Sequence, residues 1–92
     1  MNFEKTAKFK INSSCISTSI DDKSVILNVE NGKYYELNQT ASTIWNCLKK
    51  DYVFENIQKE LTKNFVVEKV IAEESLNKFL VSCLNYDFLK KI

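Results

Sequence analysis

Three thiols, two adjacent carboxylate pairs and no histidine are what this 92-residue sequence offers for bond-making chemistry. A serine or cysteine nucleophile is ordinarily activated by a neighbouring base, most often histidine, so that arrangement is ruled out by inventory. Zinc would ask for a Cys-x-x-Cys pair or histidines, whereas Cys15, Cys47 and Cys83 are widely spaced. Their odd number also argues against a disulfide framework. They read as reduced structural thiols, with Cys47 and Cys83 at least half buried. Asp21-Asp22 and Glu73-Glu74 would suit acid–base or metal chemistry only if each pair converged on one point. The first falls in a polar turn, and adjacent helical residues diverge by about 100°. A single glycine, Gly32, leaves no phosphate-cradling loop. The expectation is a protein without a catalytic, cofactor or metal site.

Composition narrows the alternatives. With 45% hydrophobic and 12% aromatic residues, the chain can bury one core, and its length suits one domain over 1–92. The thirteen basic residues are all lysines, set against twelve acids. A reader of duplex DNA would show a basic excess and arginines for guanine. No run approaches the roughly 18–20 apolar residues of a membrane span. "MNFEKTAKFKIN" lacks the apolar stretch of a secretory signal. A cytoplasmic protein with no nucleic-acid partner and no membrane span is expected.

The elements segregate along the chain. "ISTSI" at 16–20 alternates, with Ile16, Thr18 and Ile20 on one face, and "DDKS" at 21–24 is a turn. "VILNVE" at 25–30 follows, with Val25, Leu27 and Val29 on one face and Ile26, Asn28 and Glu30 on the other. Asn31-Gly32 then predicts a two-residue type I′ turn into a third strand, "KYYEL" at 33–37. Whether 7–12 lengthens the first strand is left open, so residues 1–13 either extend it or stay free. Asn38 is placed to cap a first helix, whose Ala41, Ile44, Trp45 and Leu48 form one apolar stripe. A second helix is expected over about 53–64, with Val53, Phe54, Ile57 and Leu61 inward. A third is expected over about 68–85, its stripe Leu76, Phe79, Leu80, Cys83 and Leu84, with Glu74 paired to Lys78 on the surface. Phe88 and Leu89 should fold back onto the core. Three strands, then three helices, make an α+β pattern.

A three-stranded meander has two edges, and an edge strand presents unpaired backbone groups that proteins either blunt or use. An extended peptide can add itself there as a further strand. On the third strand, Tyr35 and Leu37 share one face while Tyr34 and Glu36 share the other. One tyrosine should therefore meet the helices and the other the open face. In the plainer alternative, Tyr35 is core and Tyr34 a cross-strand partner of Asn28 or Ile26.

"SVILNVENGKYYELNQTASTIWNCL", followed by helices ending in "FLVSCLNYDFL", resembles the PqqD-like peptide-recognition domain. The likeness spans about 14–90 and is most specific in "GKYYELN", a small-residue helix start and "IW". It is nearest to the free-standing members of lasso-peptide pathways. The resemblance implies a winged helix-turn-helix-like module that binds the leader of a ribosomally made precursor peptide. It would present that leader to modifying enzymes, a leader peptidase and then a cyclase; the alternative is a chaperone for a radical SAM enzyme. It further implies that the leader pairs with Lys33, Tyr34, Tyr35 and Glu36. Its side chains would enter a groove among Leu76, Phe79, Leu80 and Cys83, with Lys78 at the rim and Phe79 and Cys83 favoured as groove residues. Leu37-Asn38 becomes core anchor and helix cap. Relatives often carry glycine where the third helix ends; here Asn85-Tyr86-Asp87 must take the left-handed turn. Two other readings stand beside this one: a winged-helix nucleic-acid binder, and an adaptor pairing edge to edge with itself.

Overall fold

The computed structural model describes residues 3–20, 23–65 and 68–92. In chain order the elements are β1 (Phe9–Ile11), β2 (Cys15–Ile20), β3 (Lys23–Asn28), β4 (Tyr34–Leu37), α1 (Gln39–Lys49), α2 (Phe54–Asn64), α3 (Lys69–Asn85) and β5 (Leu89–Lys91). β2, β3 and β4 form an antiparallel sheet in that spatial order, with the three helices after it, as the α+β reading expects. Asp21 and Asp22, at the expected polar turn, lie outside the described residues.

The register sorts the strand side chains. Ile26 stands opposite Tyr35 and Ser24 opposite Leu37, and buried Ile26 and Leu37 mark this as the face towards the helices. Leu27 opposite Tyr34 and Val25 opposite Glu36 lie on the other face, where Ile16 is 51% exposed. Tyr34 is thus the cross-strand partner of Leu27, not of Asn28 or Ile26.

The hairpin departs from the expected type I′ turn. Residues 29–32 form a four-residue loop, closed by the Asn28 N–H donating to the Lys33 carbonyl at 2.9 Å. Only Gly32 takes a positive φ there, +75°. Asn28 explains the difference. Its Oδ1 accepts the N–H groups of Glu30 at 2.9 Å and Asn31 at 3.4 Å, so the loop amides are satisfied without a left-handed Asn31. β3 accordingly stops at Asn28 and β4 starts at Tyr34.

The N-terminal arm is the second departure. It does not lengthen the meander: β1 pairs antiparallel with β5, Phe9 opposite Lys91 and Ile11 opposite Leu89. Ala7 and Phe9 point into the core while Lys8 and Lys10 stay exposed, the alternation of a one-sided strand. The carbonyls of Ala7 and Lys5 accept the N–H groups of Phe54 and Glu55 at 2.9 and 3.0 Å. α2 lacks a side-chain cap, so the arm serves its first-turn amides. Phe3 packs edge-on to Phe9, ring centroids 5.1 Å apart.

The helices follow the stripes. Asn38 Oδ1 accepts the Ala41 N–H at 2.8 Å, and Ala41, Ile44, Trp45 and Leu48 are buried. Val53 sits just before α2, whose Phe54, Ile57 and Leu61 point inward. Phe88 and Leu89 close the core. α1 and α3 stop in the same way, with aspartates at left-handed φ, +61° for Asp51 and +58° for Asp87. The N–H of Tyr52 reaches back to the Cys47 carbonyl at 3.1 Å, and that of Phe88 to the Cys83 carbonyl at 2.9 Å. These are Schellman stops, where glycine usually stands. Asp51→Gly is expected to raise stability by about 0.5–1 kcal/mol by relieving that backbone. Urea denaturation checks this; a loss of stability would mean the side chain holds the turn.

Candidate functional site

β4 is the last strand of its sheet, and no described segment pairs with its far side. The Asn28-to-Lys33 bond fixes which of its groups face β3. Hydrogen-bonded and non-hydrogen-bonded pairs alternate along an antiparallel ladder. Tyr35, Leu37 and the Lys33 carbonyl therefore face β3, the Lys33 N–H donates to Asn31 Oδ1 at 2.9 Å, and Tyr34 and Glu36 direct their backbone groups outward. The Tyr34 side chain is 69% exposed on the open face.

Beside this edge lies a groove of about 660 Å³. Tyr35 lines it from β4; Asn38, Ala41 and Ile44 line it from the start of α1. α3 contributes Ser75, Lys78 and Ser82 at spacings of three and four, with Asn77 and Phe79 alongside. Tyr35 meets Phe79 edge-on at 6.0 Å and Tyr86 at 5.9 Å, while Lys33 Nζ sits 5.7 Å above the Tyr86 ring. Glu36 is exposed on the outer face.

Of the α3 residues expected in a groove, Phe79 and Lys78 line it. Leu76, Leu80 and Cys83 do not; they are 0%, 0% and 2% exposed in the core. The apolar stripe is wide enough that one flank had to pack on the other helices, and these three residues are that flank. The pair expected between Glu74 and Lys78 is also not formed among the described residues, and Lys78 stands in the groove instead. Sequence reasoning missed Ser75, Asn77 and Ser82. Their signal was a row of small or polar residues flanking the stripe at helical spacing.

Both walls of the groove are tied together at one end. Asn28 Nδ2 donates to the Asp87 carbonyl at 3.0 Å, and Asn12 Nδ2 donates to the same oxygen at 3.0 Å. Asn31 Nδ2 reaches the Tyr86 carbonyl at 3.4 Å. The hairpin that carries β4 is thereby fastened to the stop of α3, which sets their separation.

The thiols are held protonated. Burial pushes Cys83 up to about 12, with a smaller contribution from Cys15. Burial also raises Cys15, helped by the charge of Asp87. Cys47 is raised by burial and by Glu60, partly offset by Lys50. Thiols shifted this way are poor nucleophiles and poor metal ligands at neutral pH. Among the described residues no group of three or more His, Cys, Asp or Glu side chains could hold a metal ion. Among them, too, no helix is long and apolar enough to cross a membrane.

Known proteins share this architecture. The structure of TbiB1 in complex with the TbiA(β) leader peptide is 30% identical, with a TM-score of 0.81 over 88% of this chain and 94% of that one. Lasso peptide synthetase B1 complexed with the leader peptide is 23% identical, with a TM-score of 0.81 over 89% and 96%, a likeness of fold. Comparison with curated proteins found no match. The family model for coenzyme PQQ synthesis protein D (PqqD) matches residues 23–89, from the first residue of β3 to the first of β5, and the chain belongs to that family.

Proposed function

We propose that this chain binds the leader region of a ribosomally made precursor peptide as an added strand on β4 and presents it to modifying enzymes, a leader peptidase and a lasso cyclase. It acts as one domain over residues 1–92, in the cytoplasm, as a binding module whose partners do the chemistry. The observation that carries this is the open β4 edge lying directly beside the groove. A peptide paired with β4 gains main-chain hydrogen bonds along the strand and sends alternate side chains into the groove. In this reading Lys33, Tyr34, Tyr35 and Glu36 form the pairing strand, and Phe79 and Lys78 meet the ligand's side chains. Leu76, Leu80 and Cys83 hold α3 in place from beneath. The 30% identity to TbiB1, whose structure contains a leader peptide, supports this reading. A radical SAM enzyme as recipient of the peptide is the second reading, supported by the match to coenzyme PQQ synthesis protein D.

The test is titration with a labelled leader from the precursor peptide encoded beside this gene. Binding in the micromolar range or tighter is expected, about −8 kcal/mol. Tyr34→Pro removes an outward N–H and should weaken binding at least about tenfold, while Tyr34→Ala keeps that donor and most of the affinity. No binding by any neighbouring leader would remove the proposal.

A further inference from the structure

We infer that the groove selects a peptide carrying an aspartate or glutamate that reaches Lys78, on the same face of the added strand as an apolar residue resting on Tyr35 and Phe79. This rests on strand addition at β4 and assigns that site its ligand chemistry. Among the described residues Lys78 is the one charged residue lining the groove, and no acid lines it. Among the described residues its ammonium makes no ion pair, although Glu74 stands four positions earlier on the same helix. A lysine that passes over a carboxylate on its own helix to stand in an acid-free groove leaves a site for a carboxylate from outside.

The opposite wall has the same sign. The first turn of α1 contains no acidic residue. Asn38 serves the N–H groups of Ala41 and Ser42, which leaves those of Gln39 and Thr40 towards the positive end of the helix dipole.

The apolar and acidic positions must be an even number of residues apart, because alternate side chains of a strand share a face. Tyr35 and Phe79, in edge contact, form the apolar part of the groove. Lys78 and the start of α1 form the polar part.

A displayed library of random dodecapeptides, panned on the protein and on Lys78→Glu, tests this. Lys78 is exposed, so the variant keeps its fold, and circular dichroism verifies it. Binders are sorted by whether Tyr34→Pro abolishes them, which identifies strand addition. Those that depend on Tyr34 should be enriched in Asp or Glu at an even spacing from a large apolar residue. On Lys78→Glu that position should change to Lys or Arg. Replacing the acid with its amide should weaken wild-type binding about tenfold at low salt and much less at high salt. Tyr34-dependent binders with no acidic preference would overturn the inference and leave strand addition standing. An absence of Tyr34-dependent binders would overturn both.

Discussion

Removing residues 1–11 is expected to abolish cooperative folding, or to lower the melting temperature by more than 20 °C. The arm contributes buried Ala7 and Phe9 to the core, pairs with β5 and supplies the carbonyls that receive the first amides of α2. Loss of a buried phenylalanine alone costs about 3–5 kcal/mol. A domain of this size has only about 5–15 kcal/mol in total, and each kcal/mol moves the midpoint by about 4–8 °C. Phe9→Ala, which keeps the ribbon, should show the 3–5 kcal/mol part alone in urea denaturation. The family match begins at residue 23, so the arm lies outside the region the family model describes. A truncated chain melting at the wild-type temperature would show that the arm only decorates the surface.

Asn28→Asp is expected to destabilise the domain by about 3–5 kcal/mol at neutral pH, the cost of a buried charge left without a counter-charge. Asn28 is 1% exposed and uses both ends of its amide, donating to the Asp87 carbonyl and accepting from the loop N–H groups. A carboxylate of the same shape keeps the acceptor and loses the donor, so a buried negative charge would face a carbonyl oxygen. That environment raises the new carboxyl above its unfolded pKa of about 3.9. With a raised folded pKa, the protonated form is favoured in the native state. The deficit against wild type should therefore be smallest below about pH 4 and grow as pH rises through the raised value. Denaturation at pH 4 and pH 7.5 checks the sign. A deficit independent of pH would mean that the folded state does not raise the new carboxyl and that its charge is not what destabilises the variant. Because this bond fastens β4 to the stop of α3, the variant should also widen the groove and weaken peptide binding.

The strands and helices were legible because each carries its own period. Ile16 to Ile20 alternate, Ala41 to Leu48 recur at helical spacing, and Asn38 announces a cap. Tyr34 and Tyr35 divided between open face and groove as strand geometry requires. The β1–β5 ribbon was not legible: each strand has three residues and its partner lies at the far end of the chain, so no local pattern marks it. The hairpin differs from the expected turn because Asn28, thirteen residues before the first buried stripe residue of α1 and a strand position by sequence, organises the loop. On α3, periodicity located the apolar stripe but could not say which flank faced the other helices. Leu76, Leu80 and Cys83 went inward, and the groove fell to Ser75, Lys78, Phe79 and Ser82. Deciding that required the position of α1, which a helical period alone does not contain.

Site-resolved amide exchange with and without a bound leader peptide tests the central claim most directly. The Tyr34 amide, directed away from β3, should exchange quickly in the free protein and become protected when the peptide is added. The Tyr35 amide, already bonded within the sheet, should change little. Protection that appears elsewhere and leaves Tyr34 exchanging as before would contradict strand addition at β4.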